Sequence, residues 1–444
     1  MTMFQHSGLV LVVLVLAFAL CKKGRLSTEL SMFVATLFGL IAHVVLPKGV
    51  DPRSALPFVE MIRHVVEGTC TYYDVCLIFL SATFFMTLYK ESGGVAFIVR
   101  RIVVAFHSKR TVCLLLLTAV MLVPGAITGS GATTVLTVGA LVGSVLMAMG
   151  VSPERRVSLV FVLAAMSAAC PPINLWAMMA AAGANMPYVG FGLPLAVLSI
   201  VGALFATFYL AGRGKPVDLD KVLTELPEVP EGWNWFKAGF PFVVLIALVL
   251  AGRLLPFTFP ILGLPLIFIL SGVALYLVAP KRPNPFTVAT TTVHNLQGLV
   301  GIMVVVGALN QIMCLSGARG LVSLGIVILP MAVLFGVLWI ILPISEGVLQ
   351  YAVAPLIGVP LIMLFNMMGY DPVISLAAWS VMWPLGDCLP PTAVVGRAAQ
   401  MELEYKGGYF SGVVRPAIVP MLFILALCTV VMIYSSRIGA LIGG

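Results

Sequence analysis

The 444-residue chain is 61% hydrophobic and 9% charged, with a formal net charge of +8. So few charges over such a length exclude a soluble globular domain. Apolar runs of about 18 or more residues recur from end to end, the pattern of an all-α polytopic membrane protein.

Taken in chain order, full crossings are expected near 7–21, 28–46, 70–89, 157–186, 190–212, 238–252, 258–279, 291–314, 372–402 and 412–435. The first apolar run has no basic segment before it and is followed by Lys22, Lys23 and Arg25. It therefore reads as a span with its N-terminus outside, not as a cleaved signal. Segments 52–67 and 93–106 mix charge with apolar residues at helical spacing and are expected along the membrane surface. The polar stretch 213–237 reads as a cytoplasmic linker, with room for an interfacial helix.

Two apolar blocks, 111–150 and 328–370, are each long enough for two helices but have polar or Gly-rich middles: "GAITGSGATT" (125–134) and "PISEGV" (343–348). Each reads as a re-entrant hairpin, tolerated at membrane depth only where it is buried in protein or lines a cavity. With both hairpins counted as non-crossing, nineteen of the 25 Lys and Arg residues fall on one side, which is then cytoplasmic. Topology thus accounts for the basic excess, and a nucleic-acid role has no support. The eight cysteines lie mostly in apolar runs without a CxxC pair, which argues against a disulfide framework or a zinc site.

Each hairpin is followed by a helix interrupted at twin prolines, Pro171–Pro172 and Pro390–Pro391. The offset between the two pairs is 219 residues. At that offset Pro124 meets Pro343, Gly139 meets Gly358, Gly150 meets Gly369 and Pro153 meets Pro372. The hairpins enter from opposite faces, so the expected architecture is an inverted repeat. A broken helix exposes free carbonyls and free amides at the bilayer midplane, and paired Pro-interrupted segments point to the substrate and ion sites of a secondary transporter. The division expected is 1–89 scaffold, 90–212 first half, 213–237 linker, 238–315 scaffold and 316–435 second half.

Candidate site residues follow from this frame. Thr128, Gly129, Ser130, Gly131, Thr133 and Thr134 form the first tip, where hydroxyls and exposed carbonyls are hard oxygen ligands for sodium or partners for a substrate carboxylate. Asn174 is placed either to cap the second half-helix or to face the same cavity. Ser345, Glu346 and Gly347 belong to the second tip, and Asp387 and Thr392 to the second break. A carboxylate at mid-membrane costs about 2.5–3.5 kcal/mol on insertion scales unless paired, protonated or bound to a cation, so Glu346 and Asp387 are the sharpest signals. The two acids are expected either to hold a sodium ion together with Ser130 or to share a proton, and the residues leave both open. Arg397 is placed to meet an anion or to snorkel to the cytoplasmic surface. His294 and Asn295 are expected in packing roles.

The residues "GAITGSGATT" (125–134), "GVSPE" (150–154), "CPPINLWAMMAAAG" (170–183) and, more loosely, "APLIGVPLIMLFNMMGYDPV" (354–373) and "LGDCLPPTAVVGRAA" (385–399) resemble the large membrane subunit of the TRAP (tripartite ATP-independent periplasmic) transporters. The resemblance implies an elevator domain moving against a scaffold, sodium-coupled import of small organic anions across a bacterial or archaeal inner membrane, and two partners: a small membrane subunit and a periplasmic substrate-binding protein. No cofactor is expected. A stand-alone symporter of the wider ion-transporter superfamily, or the membrane subunit of a sodium-pumping decarboxylase, are the alternative readings. An enzyme is not indicated, because the spans carry no HExxH, no Asp-rich metal motif and no Ser–His pair.

Overall fold

The computed structural model describes residues 2–46, 58–255, 258, 260 and 262–442, and among these every regular element is helical. Residues 52–57 of the first surface segment lie outside the described residues.

The chain opens with α1 (Met3–Lys23), α2 (Thr28–Val45), α3 (Phe58–Thr69), α4 (Tyr73–Glu91) and α5 (Gly94–Phe106). The first hairpin follows: α6 (Arg110–Thr128), α7 (Gly131–Thr134), a π-helical turn at Val135–Gly139 and α8 (Ala140–Ala148). The first broken helix is α9 (Pro153–Ala169) and α10 (Leu175–Gly183), and α11 (Gly192–Ala211) closes this half. The linker region carries the short α12 (Leu219–Glu225). Next come α13 (Trp235–Leu254), α14 (Leu264–Val278), the long α15 (Pro285–Leu315) and α16 (Ala318–Val327). The second hairpin is α17 (Met331–Leu349), a 3₁₀ turn at Gln350–Ala352, a π-helical turn at Ala354–Gly358 and α18 (Val359–Met367). The second broken helix is α19 (Pro372–Met382), a 3₁₀ segment at Trp383–Cys388 and α20 (Val394–Glu402). A π-helical turn at Phe410–Val414 runs into α21 (Arg415–Ile433), and α22 (Ser435–Ile442) ends the described chain.

The 219-residue offset holds element by element. The π turn Val135–Gly139 matches Ala354–Gly358, α8 matches α18, Pro153 matches Pro372 as a helix start, and α10 matches α20. The turn glycines Gly150 and Gly369 both have positive φ, and both twin-proline bonds are cis. Upstream the two halves align at an offset of 224 instead: α4 and α15 end together, Gly93 and Gly317 share a positive φ, and α5 and α16 begin together. A π turn recurring at one place in both halves is a structural feature of the repeat, and such turns gather at functional sites.

Among the described residues, ten helical segments are long and apolar enough to cross a membrane. Their membership differs from the spans expected. Both arms of the first hairpin and the long arm of the second qualify, whereas the broken helices are pairs of short halves because the twin prolines divide them. The turn of the second hairpin also lies later than expected. Residues 343–348 are helical, Pro343 included, and the chain turns at Gln350, whose φ of 54° puts a non-glycine residue in the left-handed region.

The broken helices form the centre of the molecule. Residues 157–169 of α9 and 374–382 of α19 are buried throughout. The periphery, α1 and α13 above all, exposes Val, Leu and Phe as a lipid-facing surface. Between helices the contacts rest on small residues, as expected where lipid removes the hydrophobic drive for association. Gly307 of α15, for example, lies against the backbone of Gly68 on α3.

Each hairpin meets its own broken helix at equivalent places. In the first half Ser167 on α9 accepts from the Gly125 amide at 2.8 Å, donates to the Leu122 carbonyl at 2.8 Å and lies 2.9 Å from the Thr134 hydroxyl. In the second half the residue equivalent to Ser167 is Gly386, which sits on the backbone of Pro343.

Candidate functional site

The first tip turns at Gly129, the left-handed C-cap of α6 with φ 69°, and Ser130 caps α7 by accepting from the Thr133 amide at 3.2 Å. A Cβ at position 129 would come within 2.6 Å of Leu175, so glycine suits both the backbone and the space. The Thr128 hydroxyl donates back to Pro124 at 2.8 Å, and Thr134 is held by Ser167; both are spent on the hairpin itself. Gly131 packs on the Ala164 backbone and on Val395.

At the first break the Asn174 side chain donates to the Ala169 carbonyl at 3.0 Å and accepts from the Ala177 amide at 2.9 Å. It closes the end of α9 and caps α10, so its structural role is capping, and it does not line the cavity described below. At the second break Thr392 donates to the Gly347 carbonyl through both its amide (3.1 Å) and its hydroxyl (2.8 Å), clamping the end of α17. Gly347 in turn packs on Leu389, and the Ser345 hydroxyl is turned back onto Leu342 at 2.9 Å.

Glu346 is fully buried. Its Oε2 accepts from the indole N–H of Trp176 at 2.7 Å, while Oε1 has no hydrogen-bond partner. Trp176 stacks on Tyr351, with ring centroids 4.6 Å apart. The Tyr351 hydroxyl donates to the Gly129 carbonyl at 3.4 Å, beside Ser130. A continuous chain of contacts thus joins the first break, the second hairpin and the first tip. Asp387 lies within electrostatic range of Glu346.

A cavity of about 440 Å³ opens where these parts meet α2, α4 and α15. One wall is Ser130, Thr133 and Thr137 of the first hairpin, Gln350 and Tyr351 of the second, and Asp387 and Val394 of the second break. The other wall is Thr28, Glu29, Thr83, Thr87, Lys90, Glu91, Thr291 and Asn295. Lys90 spans the two walls, donating to the Leu136 carbonyl in the π turn at 2.6 Å. Of the residues singled out in the sequence, Ser130, Thr133 and Asp387 line this cavity, and Glu346 lies behind it. Arg397 is exposed and is not among its lining residues. Asn295 and His294 are exposed instead of packed, and Asn295 faces the cavity.

Apart from Asn295, the wall formed by α2, α4 and α15 escaped notice in the sequence although a signal exists. Thr83, Thr87 and Lys90 on α4, and Thr291 with Asn295 on α15, recur at the three- and four-residue spacing that puts them on one helix face. Among the described residues no cluster of His, Cys, Asp and Glu is arranged to hold a metal. Thr133→Val keeps the shape of its side chain and removes a cavity hydroxyl. It should raise the half-saturating substrate concentration about three- to tenfold, the worth of one hydrogen bond, at unchanged expression. Unchanged transport kinetics would assign Thr133 to packing.

A bundle of membrane-length helices with a polar cavity between two repeated hairpins has the architecture of a membrane transporter. No family model matches the chain, and no curated protein matches it in sequence. In fold it is similar to MtrF of Neisseria gonorrhoeae, from a class of antimetabolite efflux pumps, with a TM-score of 0.61 at 14% identity over 91% of this chain and 94% of MtrF. It is likewise similar to the YdaH transporter of Alcanivorax borkumensis, whose topology is described as unusual, with a TM-score of 0.59 at 13% identity over 95% of this chain and 98% of YdaH. At these identities the likeness is one of fold. The TRAP resemblance finds no support in these comparisons.

Proposed function

We propose that the protein is a secondary active transporter that moves a small organic carboxylate across a bacterial cytoplasmic membrane. The observation that carries this reading is the cavity itself. It lies at the junction of both hairpins and the second helix break, and it is closed on its far side by α2, α4 and α15. In this reading the hairpins and broken helices move as one body against that scaffold, an elevator whose two halves are inverted in the membrane. The fully buried Glu346, with one carboxylate oxygen unpartnered, is the coupling group. Sodium is the ion proposed, held with the help of Asp387 and Ser130, in keeping with the TRAP resemblance and with its implied small membrane subunit and binding protein.

Two observations favour particular variants of this reading. The missing partner at Glu346 Oε1 suits a proton carried in place of sodium. The fold likeness to MtrF suits export in place of import.

Uptake of labelled carboxylates into proteoliposomes, with sodium and pH gradients imposed separately and in each direction, tests the proposal. Accumulation driven by an inward sodium gradient is expected even without a partner protein, and a binding protein should raise its rate. Accumulation under a pH gradient alone would replace sodium by the proton, and expulsion under an inward gradient would reverse the direction. No movement under either gradient would overturn the transporter reading.

A further inference from the structure

The two halves diverge at several positions, and two of these lie at the second break, beside the cavity. Where the first half has Ala168, the second has Asp387. Where the first half has Asn174 capping α10, the second has Ala393 before α20. Alanine offers no side-chain acceptor, and Ala393 sits at φ 46°, a left-handed conformation that L-residues other than glycine seldom hold. The first-turn amides of α20 are therefore left without the cap that Asn174 gives α10, and Val394 and Val395 line the cavity. An uncapped helix N-terminus carries partial positive charge and directed N–H donors, a ready subsite for an anion.

Asp387 supplies the second, independent feature. Its side chain is almost wholly buried, lines the same cavity, and has no hydrogen-bond or ion-pair partner among the described residues. A buried carboxylate in that position calls for a cation. Lys90, the one cationic residue lining the cavity among the described residues, donates to the Leu136 carbonyl and makes no ion pair with Asp387.

Resting on the transporter reading above, we propose that the substrate is a zwitterion of the α-amino-acid type. Its carboxylate is received by the α20 N-terminus and its ammonium by Asp387, which in this refinement leaves the coupling ion to Glu346, with the rest of the molecule filling the hydroxyl-lined space. A purely anionic dicarboxylate would set its second charge against Asp387, which has no basic side chain within ion-pair distance among the described residues. The cavity volume of about 440 Å³ accommodates an amino acid with a sizeable side chain.

Three matched probe sets test this. They are alanine, leucine and phenylalanine; the same molecules without the amine (propionate, 4-methylpentanoate, 3-phenylpropionate); and without the carboxylate (ethylamine, isoamylamine, phenethylamine). Binding is read as a thermal shift of the purified chain in nanodiscs, and uptake is read in proteoliposomes under sodium and pH gradients. At least one amino acid should bind and move with a half-saturating concentration ten or more times lower than its acid or amine counterpart. Asp387→Asn should erase the preference over the acid. Val394→Asp, which places a resident carboxylate at the first turn of α20, should abolish amino-acid uptake, while the uncharged Val394→Asn should lower it at least tenfold less. Val394 is 39% exposed, so this pair keeps the test decisive where Asp387→Asn does not fold. Equal handling of the deaminated acids would overturn the zwitterion proposal and leave the transporter reading standing. Failure of every probe to bind or move would overturn both.

Discussion

Glu346→Gln will uncouple transport. The substitution keeps the shape and the acceptor oxygen that Trp176 addresses at 2.7 Å. It removes the negative charge and with it the capacity to hold a proton or a cation. A carboxylate with no exposed surface and a single donor is costly to keep charged, so in the proposed cycle its charge is compensated by the coupling ion or by protonation. Removing one partner of a buried charge pair costs about 3–5 kcal/mol, roughly a hundredfold or more in ion affinity. Gradient-driven accumulation in proteoliposomes should therefore fall about a hundredfold, while exchange of labelled for unlabelled substrate continues. Trp176→Phe removes the donor and keeps a ring against Tyr351; it should shift the ion dependence without abolishing exchange. Full coupling in both variants would take the coupling role from Glu346 and leave it with Asp387.

The second large effect concerns docking of the second hairpin. A Cβ on Gly386 would run into the Pro343 carbonyl oxygen and stand 2.7 and 2.9 Å from its C and Cα. All three are backbone atoms in a helix pinned by Thr392 on Gly347, so no side chain can swing aside. Overpacking of this kind costs about 1–3 kcal/mol or more, and here it bears on the contact that sets Glu346 beside Asp387. Gly386→Ala should lower the thermal stability of the purified protein and abolish transport even where it still expresses. Gly239→Ala in α13, where a Cβ meets nothing within 4 Å, is the matched control and should leave stability unchanged or slightly raised. Equal behaviour of the two variants would show that the hairpin and the break do not pack as described.

Hydropathy and run length mark this as a helical membrane protein before any folding is known, because both are summed over neighbours in the chain. The sequence by itself located both twin-proline breaks and the 219-residue offset, because proline acts on its own backbone wherever the chain goes. It also singled out Glu346 and Asp387, since a carboxylate in an apolar run is conspicuous without knowing what it faces. What it could not supply was the meeting of faces. Gln350, not the Gly347 region, makes the second turn, because Pro343 was accommodated within α17 by its docking on Gly386. Asn174 is a cap while its counterpart Ala393 leaves α20 open, a difference that matters only because α20 ends at the cavity. Trp176 reaches Glu346 across 170 positions of sequence, and the threonines of α4 and α15 become a cavity wall only when those helices pack against the hairpins. Periodicity tells which residues of one helix share a face; which face meets which is decided by the packing of all the helices together.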